Sequence, residues 1–229
     1  MKYIRKLGLV ASLVLSVFAH AAIAQSKEIT STEISKMEQS AISMLRAGPY
    51  RSIWTSWVFP ERGKEHSYKT TMTTEVDVAG NTRSIQEDGT PGSFRRMEVI
   101  SVEGQHYRKI DEGPWQRLSP PPSGYGQSVE SQPLTGSRPR FELTARLIET
   151  QDTKEGLVSI YETVSKSTRE ENGKDVVRIS TSRFWFRYDG MLLRKDMEAE
   201  TVGESRIVRN STVYEFTNIP RIEAPNINQ

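Results

Sequence analysis

The chain has 229 residues, a net charge of +2 from 31 Lys+Arg against 29 Asp+Glu, and no cysteine. So balanced a composition leaves no electrostatic footprint for nucleic acid. The absence of cysteine excludes a thiol nucleophile, a thiolate metal site and a disulfide framework.

Residues 1–24 read as a secretory signal peptide. Lys2, Arg5 and Lys6 form a positive start, Leu7 to Phe18 is almost wholly apolar, and Ala22-Ile23-Ala24 fits an A-x-A cleavage site before Gln25. Its removal takes three basic and no acidic residues, which leaves 28 against 29 and a net charge of −1. The expected location is the periplasm or the exterior, which argues against ATP- or nicotinamide-dependent chemistry. With no cysteine there is no site for a lipid anchor. No other apolar run approaches the roughly 20 residues that span a bilayer. Residues 25–229 are long enough for one core, and one domain is expected.

Thr30 followed by Glu33 is a capping box. Ile34, Met37, Ala41, Met44 and Leu45 then recur at helical spacing, and Gly48-Pro49 is a stop signal. The spacing predicts an amphipathic helix over about Thr32 to Ala47, one face on a sheet. The period then changes to two. Strands are expected over Tyr50–Phe59, Tyr68–Val78, Thr82–Gln86, Arg95–Val102, His106–Ile110 and Trp115–Leu118, separated by Gly-, Asn- and Asp-rich turns. Residues 119 to 140 hold Pro120, Pro121, Pro122, Pro133 and Pro139 and read as a long loop, either a flap or a surface insertion. Phe141 to Thr150 is read as a short helix, although its first half also fits alternation. Strands return over Leu157–Ser167, Val176–Arg187, Met191–Thr201 and Arg206–Ile219, and the tail from Pro220 is extended. No internal repeat is present.

The usual catalytic signatures are missing. There is no H-E-x-x-H, no Gly-x-Ser-x-Gly and no P-loop. Beyond the leader only His66 and His106 offer imidazoles, and both fit surface or edge positions. Asp111-Glu112 and Glu170-Glu171 sit in turn-like segments where solvated acids are common. No metal and no cofactor is expected, and a secreted hydrolase is the least favoured reading. The aromatic residues on the expected strands, Trp54, Trp57, Trp115, Phe184, Trp185 and Phe186, fit either an acyl-chain pocket or an ordinary sheet core. Arg183 and Arg187 flank the last cluster and fit either an anionic headgroup or an exposed strand face.

The segment Phe184-Trp185-Phe186-Arg187-Tyr188-Asp189-Gly190-Met191-Leu192-Leu193-Arg194-Lys195-Asp196-Met197-Glu198 resembles a hairpin of the LolA-like superfamily. That superfamily includes periplasmic outer-membrane lipoprotein carriers and the LppX/LprG lipid-binding lipoproteins. His106 to Trp115, with Gly113-Pro114, is similar to a second hairpin of these lipid binders, and Val213–Ile219 followed by Ile222–Pro225 to their final strand and exit. The resemblance implies an α+β, mainly antiparallel fold. It would be a strongly curved sheet, an incomplete barrel, with the N-terminal helix and a short second helix on the concave face. It also implies non-enzymatic binding of a lipid, acyl chain or lipoprotein, for transport or sensing in the cell envelope. The expected cavity lining is Trp54, Trp57, Met72, Phe184, Phe186, Met191, Leu193 and Met197. The alternative is a protein-interaction or sensor module on the same scaffold, with an envelope protein as its partner.

Overall fold

A computed structural model describes residues 29–119, 140–171 and 173–227. The expected signal peptide, and residues 120–139 of the expected Pro-rich loop, lie outside them.

Among the described residues one helix, α1 (Ser31–Leu45), precedes eleven strands. These are β1 (Tyr50–Phe59), β2 (Tyr68–Val76), β3 (Thr82–Thr90), β4 (Ser93–Val102), β5 (Gln105–Ile110), β6 (Gln116–Leu118), β7 (Arg140–Thr153), β8 (Gly156–Glu171), β9 (Lys174–Arg187), β10 (Leu192–Thr201) and β11 (Ile207–Glu215). All pair antiparallel in one sheet, in the order β6-β5-β4-β3-β2-β1-β11-β10-β9-β8-β7. Among the described residues the sheet does not close, β6 and β7 are its two edges, and the fold is a mainly antiparallel incomplete barrel with one helix. Strand twist accumulates across so many strands, which is why a wide antiparallel sheet curls instead of lying flat.

The capping box forms as its residues dictate. The Glu33 amide donates to the Thr30 hydroxyl at 3.2 Å, and the Thr30 amide donates to the Glu33 carboxylate at 2.7 Å. The helix buries Ile34, Ala41 and Leu45 on one side. Ile34 and Ala41 pack on Phe184, Phe186 and Leu192, with Met37, Met44, Ala145, Tyr161 and Tyr214 around them. This cluster draws its sheet residues from β7 to β11 alone. Glu38 and Lys195 form an ion pair at 2.5 Å, and the ammonium stands 4.9 Å from the centroid of the Phe184 ring. The same lysine thus ties the helix to the sheet through a carboxylate and an aromatic face.

A second, smaller cluster lies on the opposite face. The tail beyond β11 crosses that face and inserts Ile219 and Ile222 beside Ile100, Tyr107 and Trp115. Asp77, 2% exposed in the β2–β3 turn, accepts the Ile222 amide at 2.9 Å. Its carboxylate also accepts the amides of Ala79 and Asn81 and the Asn81 side chain.

The expected second helix is a correction. Residues 140–153 form β7, an edge strand paired with β8 along its length. Phe141, Leu143, Ala145 and Leu147 alternate onto one face. A bulge between Leu147 and Glu149 then breaks the phase, so that Ile148 mimics helical spacing in the sequence. Several strands also run longer than expected. β3 continues through Glu87-Asp88-Gly89, read as a turn, and β8 continues through Glu170-Glu171.

Candidate functional site

Residues directly opposite in an antiparallel ladder share a face, so the register assigns every strand position to a side. On the side that carries α1, one cross-sheet row reads Ile110, Met97, Gln86, Met72, Trp54, Thr212, Lys195, Phe184, Tyr161, Leu147. The half of the row from Phe184 to Leu147 lies in the region that α1 covers. The half from Trp54 to Ile110 contributes nothing to the helix cluster. Met72 is 37% exposed and Trp54 half-buried. Around this row the helix-side face is hydroxyl-rich: Ser52 pairs with Thr74, Ser56 with Thr70, and Thr74 with Ser84, the last two hydroxyls 3.3 Å apart.

The eight residues expected to line a cavity therefore separate. Trp54, Met72 and Phe184 stand in the same row, and Met197 stands in the next row opposite Asn210. Phe184 and Phe186 are 4% and 1% exposed, and their rings are filled in by the helix. Trp57 lies on the other side of the sheet, three positions from Trp54 and so of opposite parity. Met191 precedes β10, in the turn at Gly190, whose φ of +86° requires glycine; its sulfur accepts from the Arg187 guanidinium at 2.7 Å. Leu193 occupies a bulge between Leu192 and Arg194, and it is Leu192 that enters the core, at 1% exposure. Met97 and Ile110, which sequence reasoning passed over, complete the row with Trp54 and Met72.

The opposite face is ionic. One row reads Arg146, Glu162, Arg183, Asp196, Ser211, Thr55. Glu162 is 4% exposed and accepts from Arg146 at 2.6 Å and from Arg183 at 2.9 Å. Burial pushes its carboxyl up, but the two guanidiniums more than offset this and hold it below the usual carboxylate range. Asp196 accepts from Arg194 at 2.6 Å and from Ser211 at 2.7 Å. Glu198, raised by burial, is brought below its ordinary value by Arg209 and Arg62. Arg187 is bound by Asp189 at 2.7 Å. The two arginines considered for an anionic headgroup, Arg183 and Arg187, are thus already held by carboxylates.

The Ser101 hydroxyl and His106 Nδ1 are 2.8 Å apart as cross-strand neighbours, but among the described residues no carboxylate orients the ring. His66 stacks edge-on against Phe59. No cluster of three or more metal-ligating side chains occurs among the described residues.

No protein-family model and no curated protein matches the chain. Among solved structures it is similar to a "putative outer membrane lipoprotein-sorting protein domain" from Vibrio parahaemolyticus. The two are 10% identical, the match covers 81% of this chain and 93% of that one, and the TM-score is 0.29.

Proposed function

We propose that this protein binds a lipid or acyl chain on the helix-side face of β1 to β5, as a non-enzymatic LolA-like component of the cell envelope. The observation that carries this reading is the row Trp54, Met72, Gln86, Met97, Ile110, a mainly apolar stripe outside the cover of α1 and separated from Phe184 by Thr212 and Lys195. From Trp54 to Ile110 the stripe crosses four strand gaps, about 19 Å at roughly 4.8 Å each. An extended hydrocarbon chain laid across the strands would meet a tryptophan, a methionine, the stem of Gln86, a second methionine and an isoleucine in turn. Methionine adapts to chains of varied shape because its thioether is flexible and polarizable. Each buried methylene contributes about 0.8 kcal/mol, so roughly ten supply about 8 kcal/mol, the scale of micromolar binding, before ordering costs.

The chemistry of the two faces agrees with this assignment. Hydroxyls flanking the stripe tolerate either water or a lipid ester, whereas on the opposite face β8 to β11 carry ion pairs and the tail covers Ile100 and Tyr107. Entry to the envelope would use the leader at residues 1–24. The test is lipid retention by protein secreted through its own leader: Trp54→Asp and Met72→Glu should release the bound lipid. Unchanged lipid content in both would refute the site.

A further inference from the structure

The ionic face holds a recess that the lipid-binding reading does not use. It has a volume of ≈ 450 Å³ and spans β1, β11, β10 and β9, with Trp57, Arg183, Arg194, Asp196, Glu198 and Arg209 among its walls. That volume is within the range of small-molecule sites, about 300–1,000 Å³.

Three aromatic residues stand on this face near the recess, and they are treated differently. Arg209 lies over the Phe59 ring at 4.9 Å and Arg194 over the Trp185 ring at 5.0 Å. Trp57 stands between Lys69 of β2 and Arg209 of β11, but among the described residues no cation and no ring lies over its face, and its indole N–H donates to none of them. That N–H is not among the buried unpaired groups, so it reaches solvent. A half-buried indole is therefore set among polar side chains.

The charges decide which ligand fits. Each of the three guanidiniums in the walls is already paired: Arg183 with Glu162, Arg194 with Asp196 and Arg209 with Glu198. An anion or a cation would have to displace an intramolecular partner. A neutral hydroxyl would not, because each carboxylate keeps spare lone pairs and each guanidinium spare N–H groups. An apolar surface flanked by such spare donors and acceptors matches a sugar ring, with C–H bonds on one face and hydroxyls at its edge. We infer that this recess binds an uncharged saccharide, the ring stacked on Trp57 and its hydroxyls shared between the flanking ion pairs.

The test is a titration of the secreted protein with three uncharged probes, hexa-N-acetylchitohexaose, maltohexaose and cellohexaose, followed through the tryptophan indole N–H signals. Phosphocholine and inorganic sulfate serve as charged probes. Comparison with Trp57→Phe assigns the Trp57 signal. At least one hexasaccharide should move that signal saturably, and Trp57→Ala should weaken its binding at least about tenfold, while Trp54→Ala, on the other face, leaves it unchanged. The inference is overturned if no hexasaccharide moves the Trp57 signal at millimolar concentration. It is also overturned if only phosphocholine or sulfate does so, or if Trp57→Ala, with an unfolding transition like that of the parent protein, binds as well as the parent. Lipid content measured on the same samples reads the helix-side face separately.

Discussion

Trp54 and Met72 stand opposite each other across β1 and β2, on the side of the sheet that α1 occupies but outside the cluster the helix closes. Their pairing makes an apolar step that packs on no second layer from the described residues of that cluster. Replacing Trp54 by Asp puts a charge there without disturbing Phe184 or Phe186. Bound lipid should fall by at least about thirtyfold in occupancy-corrected affinity, the equivalent of about 2 kcal/mol. The melting temperature should stay within a few degrees. Thin-layer analysis of extracted lipid beside a thermal scan checks both.

Phe186 gives the contrasting outcome. It is 1% exposed, stacked on Phe184 at 6.2 Å between centroids and edge-on to Tyr161 at 6.0 Å. Phe186→Ala leaves a cavity under the helix and should cost about 3–5 kcal/mol. For a chain of this size that is a fall of roughly 10 °C in melting temperature. A loss of lipid without a loss of stability in this variant would move Phe186 from the core to the site.

Asp77 fastens the tail, and its titration sets where the clasp fails. Burial raises its pKa, but the amides of Ile222, Asn81 and Ala79 and the Asn81 side chain outweigh burial and hold it below the ordinary value. A depressed folded pKa contributes stability that is complete above the unfolded value, about 3.9, and lost as the pH falls through the folded value. The tail should stay docked at neutral pH and loosen only below about pH 4. Asp77→Asn, which cannot be an all-acceptor group, should release it at every pH. Hydrogen exchange at the Ile222 amide follows this directly: strong protection at pH 7 in the parent protein, little in the variant.

The ionic face responds to acid in the same direction. Glu162 loses its bonds to Arg146 and Arg183 when protonated, and its lowered pKa places that loss below the usual carboxylate range. Glu162→Gln should destabilise by about 1–2 kcal/mol, because two guanidiniums lose a charged acceptor while both stay more than half exposed to water. It should also flatten the dependence of stability on pH between about 3 and 5. Denaturant titrations of both proteins across that interval measure it.

Much of this was legible in local sequence. Thr30 and Glu33 announce the helix start because a capping box is a contact between neighbours three residues apart. Tyr50–Phe59 emerges with its expected bounds, since aromatic and β-branched residues at period two fit a pleated surface. Where local pattern fails, the cause is a phase change. The bulge at Leu147/Glu149 turned an edge strand into an apparent helix, and the bulge at Leu192/Arg194 moved burial from Met191 and Leu193 to Leu192. Trp54 and Trp57 were grouped by chemistry although their odd separation puts them on opposite faces. Met97 and Ile110 join Trp54 only through the register of four successive pairings, and Asp77 meets Ile222 across 145 positions of chain. Neither relation leaves a trace in any short window of sequence.

The most direct measurement is native mass spectrometry of the secreted protein, with organic extraction, on the parent chain, Trp54→Asp and Trp57→Asp. The account predicts a lipid adduct near one per chain in the parent and in Trp57→Asp, and its loss in Trp54→Asp. A bare mass in the parent with no uptake of added phospholipid, or loss of the adduct in Trp57→Asp but not in Trp54→Asp, would contradict it.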